Sequence, residues 1–327
     1  VGASRRITVA LVTRMNLTAE RAGERVATGG ETVLSELAFG PLSATRLRDL
    51  DQGLARLEWH VRHQGKYDTK TNRLALETLA LSFGRSELAL SGLIDSLGRR
   101  ARFDVKASGA NLDLEQLLAW VSVADARAVK GVTGHGQLAF DLAVRGSIAP
   151  GTLPVVTGVL NVKDAAFRYP GAPADVSGLS LTANFRPDTL LVPELKASVA
   201  GQPIGARLLA WNLADPMLDF ALRGSVDLAA VAPMLAPAGT RLGGRAVVDV
   251  SGRGRARDAG TMVLGGHAQL QNVSIEGAGL PQRLENVNGR IDFLPESAAI
   301  QRLSARAGQS SFSIDATVQR PLALMAP

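Results

Sequence analysis

Apolar and polar residues alternate along most of the chain in short runs separated by Gly, Asp, Asn and Pro. In Gln137–Arg145, Leu138, Phe140, Leu142 and Val144 fall on one side and Ala139, Asp141, Ala143 and Arg145 on the other. Leu218–Arg223 alternates in the same way, and Trp59–Tyr67 places Trp59 and Val61 together. In Leu74–Phe83 the apolar set shifts by one position between Leu76 and Leu79, which predicts a β-bulge there. Leu88, Leu90 and Ile94 follow at even spacing. A period of two over four to eight residues between turn signals is the pattern of half-buried strands, and about 15 can be counted. Connections such as Arg186–Asp188 and Leu213–Pro216 are short, so successive strands should pair as antiparallel hairpins. At the start, Ile7–Val12 and Met15–Glu20 read as two arms of a strand pair, and Ala22–Glu31, with Gly23, Gly29 and Gly30, reads as a turn.

Two segments carry a helical period instead. Leu112–Val121 sets Leu114, Leu117, Leu118 and Val121 on one face, with Asn111 or Asp113 available as cap. Asp227–Leu235 repeats the arrangement with Asp227 as cap, Leu228, Val231 and Leu235 on one face, and Pro233 limiting its length.

The chain also repeats itself. Gly158–Val199 aligns without a gap on the segment 108 positions later: Phe167 falls on Ile275, Pro173 on Pro281, Val176 on Leu284, Phe185 on Phe293, Pro187 on Pro295 and Leu195 on Leu303. A fainter copy lies upstream, where Thr32–Phe39 and Leu74–Phe83 echo Asn161–Phe167 and Leu190–Val199. Such a period marks a repeated supersecondary unit. The expected organisation is a first β-module over 1–130, a second over 131–240 and a third over 241–327, with one short helix per complete repeat.

Composition narrows what the sheet can be. Hydrophobic residues make up 46% of the 327 residues, but aromatics only 4%, and no apolar run approaches a membrane-spanning helix. Sandwich cores are normally filled by large side chains from two layers. The expected fold is therefore mainly β: a long curved antiparallel sheet forming an open hydrophobic groove built from repeats of about 110 residues. The natural occupant of such a groove is an acyl chain. Its contacts are assigned to Leu138, Phe140, Leu142, Val144, Leu160, Val162, Leu190, Val192, Leu195, Phe220, Leu222, Leu270, Ile291, Phe293 and Leu303. An outer-membrane barrel fits poorly, because Asp and Arg on the opposite faces would meet lipid at about 2–4 kcal/mol each near the midplane.

Catalytic chemistry finds little support. His60 and His63 stand three apart, on opposite faces of a strand, and His135 and His267 are isolated, so no metal site or metal cofactor is expected. No G-x-S-x-G elbow occurs, and Ser147 and Ser177 read as turn residues. The chain has no cysteine. The net charge of +6 comes from scattered arginines. The one dense cluster, Ser251–Arg257, reads as a hairpin loop rather than a nucleic-acid or lipid-phosphate contact. Trp59, Trp120 and Trp211 read as packing residues rather than interface anchors.

Two patterns carry a family resemblance. One is F-x-L-x-G-S-(V/A)-D-L-x-x-(V/L), seen in Phe220–Val231 and echoed in Phe103–Leu117. The other is G-x-L-x-V-x-(D/N)-(A/V)-x-F with a following loop and hairpin, seen in Gly158–Phe185 and Gly266–Phe293. Both resemble the repeated segment of the AsmA-like family, bacterial envelope proteins related to TamB, YhdP and the bridge-like lipid transfer proteins. The resemblance implies a non-enzymatic, periplasmic, twisted β-groove that binds phospholipid acyl chains and serves lipid transport between inner and outer membrane, or outer-membrane biogenesis. It also implies attachment to the inner membrane through a segment outside this excerpt, since the chain opens at Val1 without a leader-like stretch. The alternative is an assembly scaffold that binds an envelope protein at a sheet edge. No nucleic-acid partner is expected.

Overall fold

The computed structural model describes residues 8–40, 58–96, 101–123, 132–147, 154–168, 174–235, 239–277 and 280–319. Seventeen strands and two short helices account for almost all of them, so the protein is mainly β. In chain order these are β1 (Thr8–Ala22), β2 (Arg25–Gly40), β3 (Trp59–Asp68), β4 (Arg73–Phe83), β5 (Ser86–Asp95), β6 (Arg102–Asp113) and α1 (Leu114–Val123). There follow β7 (Thr133–Ser147), β8 (Val155–Arg168), β9 (Val176–Arg186), β10 (Thr189–Val199), β11 (Gln202–Trp211), β12 (Met217–Asp227) and α2 (Leu228–Leu235). The last are β13 (Arg241–Arg255), β14 (Val263–Glu276), β15 (Leu284–Leu294), β16 (Ser297–Ala307) and β17 (Ser310–Gln319).

The repeat is visible in these boundaries. Shifting β7, β8, β9, β10 and β11 by 108 residues reproduces the limits of β13, β14, β15, β16 and β17. Six strands and a helix form one period, as in β1–α1 and β7–α2. Irregularities repeat with it. The register slips between Val192 and Leu195 and again between Ile300 and Leu303. Asp164 and Asn272 both hold positive φ, and their amides donate to Ser180 Oγ (3.1 Å) and Asn288 Oδ1 (2.9 Å). Bulges that recur at equivalent sites bend each copy of the sheet alike.

By contacts the chain divides into two compact units, residues 1–130 with 137–160, and residues 131–136 with 161–327. In the first, registers link β1 through β7 in sequence order, every pair antiparallel. In the second, β9 through β17 do the same. The sheet is open: among the described residues β1 has a register only with β2, and β17 only with β16. Among the described residues the extensive contacts run between sheet neighbours, with the helices and one 3-10 turn as additions, so within each unit these residues form a single-layer sheet rather than half of a sandwich.

Several sequence expectations change. The first 15 residues of strand form one element, β1, rather than two arms, because alternation continues through Thr13 and Arg14 and the chain turns only at Gly23 and Glu24. Gly29 and Gly30 belong to β2, where Gly30 faces Leu17 and a Cβ would come 2.2 Å from the Asn16 carbonyl. Both helices begin slightly later than expected, each after its acid cap. Asp113 Oδ1 accepts from the Glu115 and Gln116 amides (2.9 and 3.4 Å), and Asp227 Oδ1 from the Ala229 amide (2.9 Å). The bulge expected between Leu76 and Leu79 is present. Pro173 lies outside the described residues, as do the side chains of Trp120, Val121, Pro233 and Leu235.

Glycine is required where strands close on one another with positive φ. At Gly158 (φ +127°) a Cβ would stand 2.0 Å from the Asp141 carbonyl oxygen, and at Gly266 (φ +101°) 2.0 Å from that of Asp249. Gly266→Ala should therefore cost about 2 kcal/mol or more and lower the thermal midpoint. Gly205→Ala, whose Cβ would meet nothing closer than 3.9 Å, should stay near wild type. Equal midpoints for the two variants would refute the close approach.

Candidate functional site

In an antiparallel pair, residues directly opposite share a face, so the registers trace each face of the sheet. In the first unit one row runs Met15, Thr32, Val61, Leu81, Leu88, Gly109, Phe140. The next runs Leu17, Gly30, His63, Leu79, Leu90, Ala107, Leu142. Val144 continues a third row through Val105, Gly92 and Leu76, and Leu138 faces Leu112. All four candidates in β7 thus belong to one apolar face.

The second unit has the same construction. One row joins Leu181, Leu195, Ala206, Leu222, Val250, Gly266, Phe293, Ala298 and Val318. A neighbouring row joins Ala197, Ile204, Gly224, Val248, Ala268, Ile291, Ile300 and Ala316. Val192 and Phe220 flank Leu208, Leu190 faces Phe185, and Leu270 stands between Ala246 and Gly289. A Cβ on Gly289 would touch Leu303, which places Leu303 over that glycine. Val162 follows Asn161, whose Oδ1 accepts from Thr182 Oγ1 (2.8 Å), and Leu160 is the last residue of the first unit.

Most of these side chains are half-buried, and of the fifteen candidates only Val192 is fully so. Phe140 lies across Gly109 and Phe220 across Gly252, since a Cβ at either glycine would stand 2.8 or 2.5 Å from the ring. Rings laid flat over glycines make a smooth apolar floor. The same face takes in Leu79, Leu81, Leu88, Leu90, Leu208, Val250 and Ile300, beyond the residues assigned from sequence. The even spacing in β4 and β5 was the signal for the first four.

The face is closed by packing only near the helices. Trp59 (1% exposed) stacks on Phe83 at 4.1 Å, beside the buried Ser86 and Leu112. Ser86 Oγ accepts from the Asp113 amide (3.3 Å) and lies 3.3 Å from the Asn111 carbonyl, tying this end to the start of α1. In the second unit Leu228 of α2 packs on Val273, Val287 and Ala305, together with Leu270, Ile275, Leu284 and Leu303. Leu270 and Leu303 thus form the packed base of the apolar face.

The opposite face is polar and laced with cross-strand ion pairs. Directly opposed pairs are Asp104 with Arg145 (2.8 Å), Arg223 with Asp249 (3.0 Å) and Arg241 with Glu276 (3.1 Å). Exposed pairs of this kind add little stability but favour the register that makes them. His60 sits on this side near Glu31 (3.7 Å), whereas His63 is on the apolar side. Among the described residues no three His, Asp or Glu side chains converge as a metal site.

Comparison with family models, curated proteins and solved structures returns no significant match.

Arg168 Nε donates to Asp175 Oδ1 (2.7 Å), and this hydrogen bond holds the Asp175 carboxyl below its ordinary value of 3.8. A depressed folded-state pKa adds stability that is present above the unfolded value and is lost as pH falls through the folded one. In Arg168→Gln, Asp175 should titrate closer to its ordinary value by carboxyl NMR, and the stability difference from wild type should close as pH falls through the depressed Asp175 value. An unchanged Asp175 titration would refute the coupling.

Proposed function

We propose that the chain is a non-enzymatic lipid-holding β-groove, serving phospholipid passage between two membranes of a bacterial envelope as the AsmA-like resemblance implies. The observation that carries the reading is the mostly apolar face itself, traced across β1–β7 in one unit and β9–β17 in the other, with no second layer over it among the described residues. Apolar surface of that extent on a single-layer sheet calls for a partner. An acyl chain suits it, because the rows offer many equivalent apolar contacts and few polar groups, Thr32 in the row from Met15 to Phe140 and His63 in the row from Leu17 to Leu142. Each methylene removed from water contributes at most about 0.8 kcal/mol, so affinity comes from the length of the stripe rather than from one residue.

The reading distinguishes neighbouring positions on one strand. Phe140→Asp and Leu222→Asp put a carboxylate into the apolar row, whereas Ala143→Asp and Ala221→Asp put one on the polar side. After detergent-free purification, the first two should retain phospholipid at about one fifth of wild type or less, and the second two near wild type. That difference corresponds to ~1 kcal/mol. If all four retain lipid alike, the face does not hold it. A stable, lipid-free wild-type protein would favour the scaffold reading, in which an open edge strand such as β17, with Phe312 and Ile314 exposed, pairs with another protein.

A further inference from the structure

Of Ser251–Arg257, only Ala256 and Arg257 lie in the turn after β13. β13 continues to Arg255, and the Gly-Arg-Gly-Arg text is strand alternation: Gly252 and Gly254 turn to the apolar side beneath Phe220 and Met262, while Arg253 and Arg255 turn outward. The registers set these two arginines in an unusual place on the polar face. The outermost rung reads Arg186, Thr189, Trp211, Met217, Arg255, and the next reads Asn184, Leu191, Leu209, Asp219, Arg253. Across β10–β12 the polar face is here apolar, with Leu191, Leu209, Trp211 and Met217 half-exposed. Beyond Arg253 the rung ends on Val263, 49% exposed.

Some arginines on this face are paired and others, Arg245 and Arg62 among them, form no ion pair among the described residues. Arg223 and Arg241 each face a carboxylate, but among the described residues Arg186, Arg253 and Arg255 form no ion pair. Of the acids nearby, Asp219 pairs with Arg207 (3.3 Å), Asp188 accepts from the Leu213 amide (2.9 Å) and Asp258 from the Gly260 amide (3.0 Å), while Asp215 stands in the turn between β11 and β12. Arg253 instead lies over the Trp211 ring, 5.3 Å from its centroid. An apolar centre with a tryptophan, flanked by unpaired guanidinium groups, matches the boundary of an anionic bilayer, where indole and arginine both partition to the headgroup level. Nucleic acid fits less well, because Arg253 occupies a face of the only aromatic ring in the patch and no second ring is available for base stacking.

We propose that this outer patch docks the second unit onto a bilayer surface carrying anionic lipid. The patch is on the face opposite the groove, so docking does not depend on acyl chains entering the groove. The test is sedimentation of the full chain with vesicles of phosphatidylcholine alone or with 30% phosphatidylglycerol. The chain should bind the anionic vesicles and lose binding as salt rises. Arg253→Glu/Arg255→Glu should weaken binding by about tenfold or more and Trp211→Ser by a few-fold. Arg102→Glu, a charge reversal on the first unit, should stay within about twofold of wild type. If the double reversal fails to fold by circular dichroism, Arg253→Gln/Arg255→Gln gives the same comparison with a loss of about fivefold. Vesicle binding unchanged in these variants would overturn the proposal. So would binding to a single-stranded RNA oligonucleotide, lost in the same variants, with none to vesicles.

Discussion

Everything in this protein depends on the antiparallel register. Because opposed residues share a face, a one-residue slip in any hairpin would turn an apolar row into the polar side and expose it. The ion pairs on the polar face oppose such a slip. Arg223 meets Asp249 and Asp104 meets Arg145 only in the observed register. The glycines oppose it as well, since Gly266 fits only where the Asp249 carbonyl closes on it. Stability is therefore spread along many hairpins rather than gathered in one core, and among the described residues the most deeply buried large side chains, Trp59, Phe83 and Leu112, lie together near the start of α1 in the first unit.

A single-layer sheet with one apolar face would ordinarily collapse onto itself or onto a neighbour. Three features of this chain leave its face accessible. Small residues alternate with large ones along the rows, as at Gly109, Ala107 and Gly92, so there is too little volume to build a second layer. Helix packing on the face is local, with α2 covering it through Leu228 and α1 following directly on the buried Leu112 of β6. The bulges recur at equivalent positions in successive copies, at Val192–Leu195 and Ile300–Leu303, so the bend is a property of the module and not of one place. These are the physical requirements of a surface that holds a flexible apolar ligand along its length.

Much of this was legible in the sequence. Period-two alternation marked the strands, the parity change between Leu76 and Leu79 marked a bulge, Asp227 marked one helix start, and the pair Asn111 or Asp113 bracketed the other. Each is a local rule that a few residues satisfy by themselves. What the sequence obscured depended on pairing. β1 reads as two pieces because Thr13-Arg14 interrupts an apolar run, yet both residues are ordinary positions opposite Leu34 and Val33. Gly29 and Gly30 read as a turn because glycine is ambiguous until the opposing Leu17 is known. Ser251–Arg255, the larger part of Ser251–Arg257, reads as a loop for the same reason: only the facing Phe220 shows that Gly252 is an inward strand position. The fifteen apolar candidates fall on the traced face or alternate with its polar side, but their contact with lipid is a proposal that geometry alone supports.

The central claim is that one face of each strand meets acyl chains and the other does not. The direct measurement is a photo-crosslinking scan along β7, with a benzophenone amino acid placed singly at each position from Leu138 to Val144 in the lipid-loaded chain. The account predicts lipid adducts at Leu138, Phe140, Leu142 and Val144 and none at Ala139, Asp141 and Ala143. Adducts without that alternation, or confined to the second set, would contradict it.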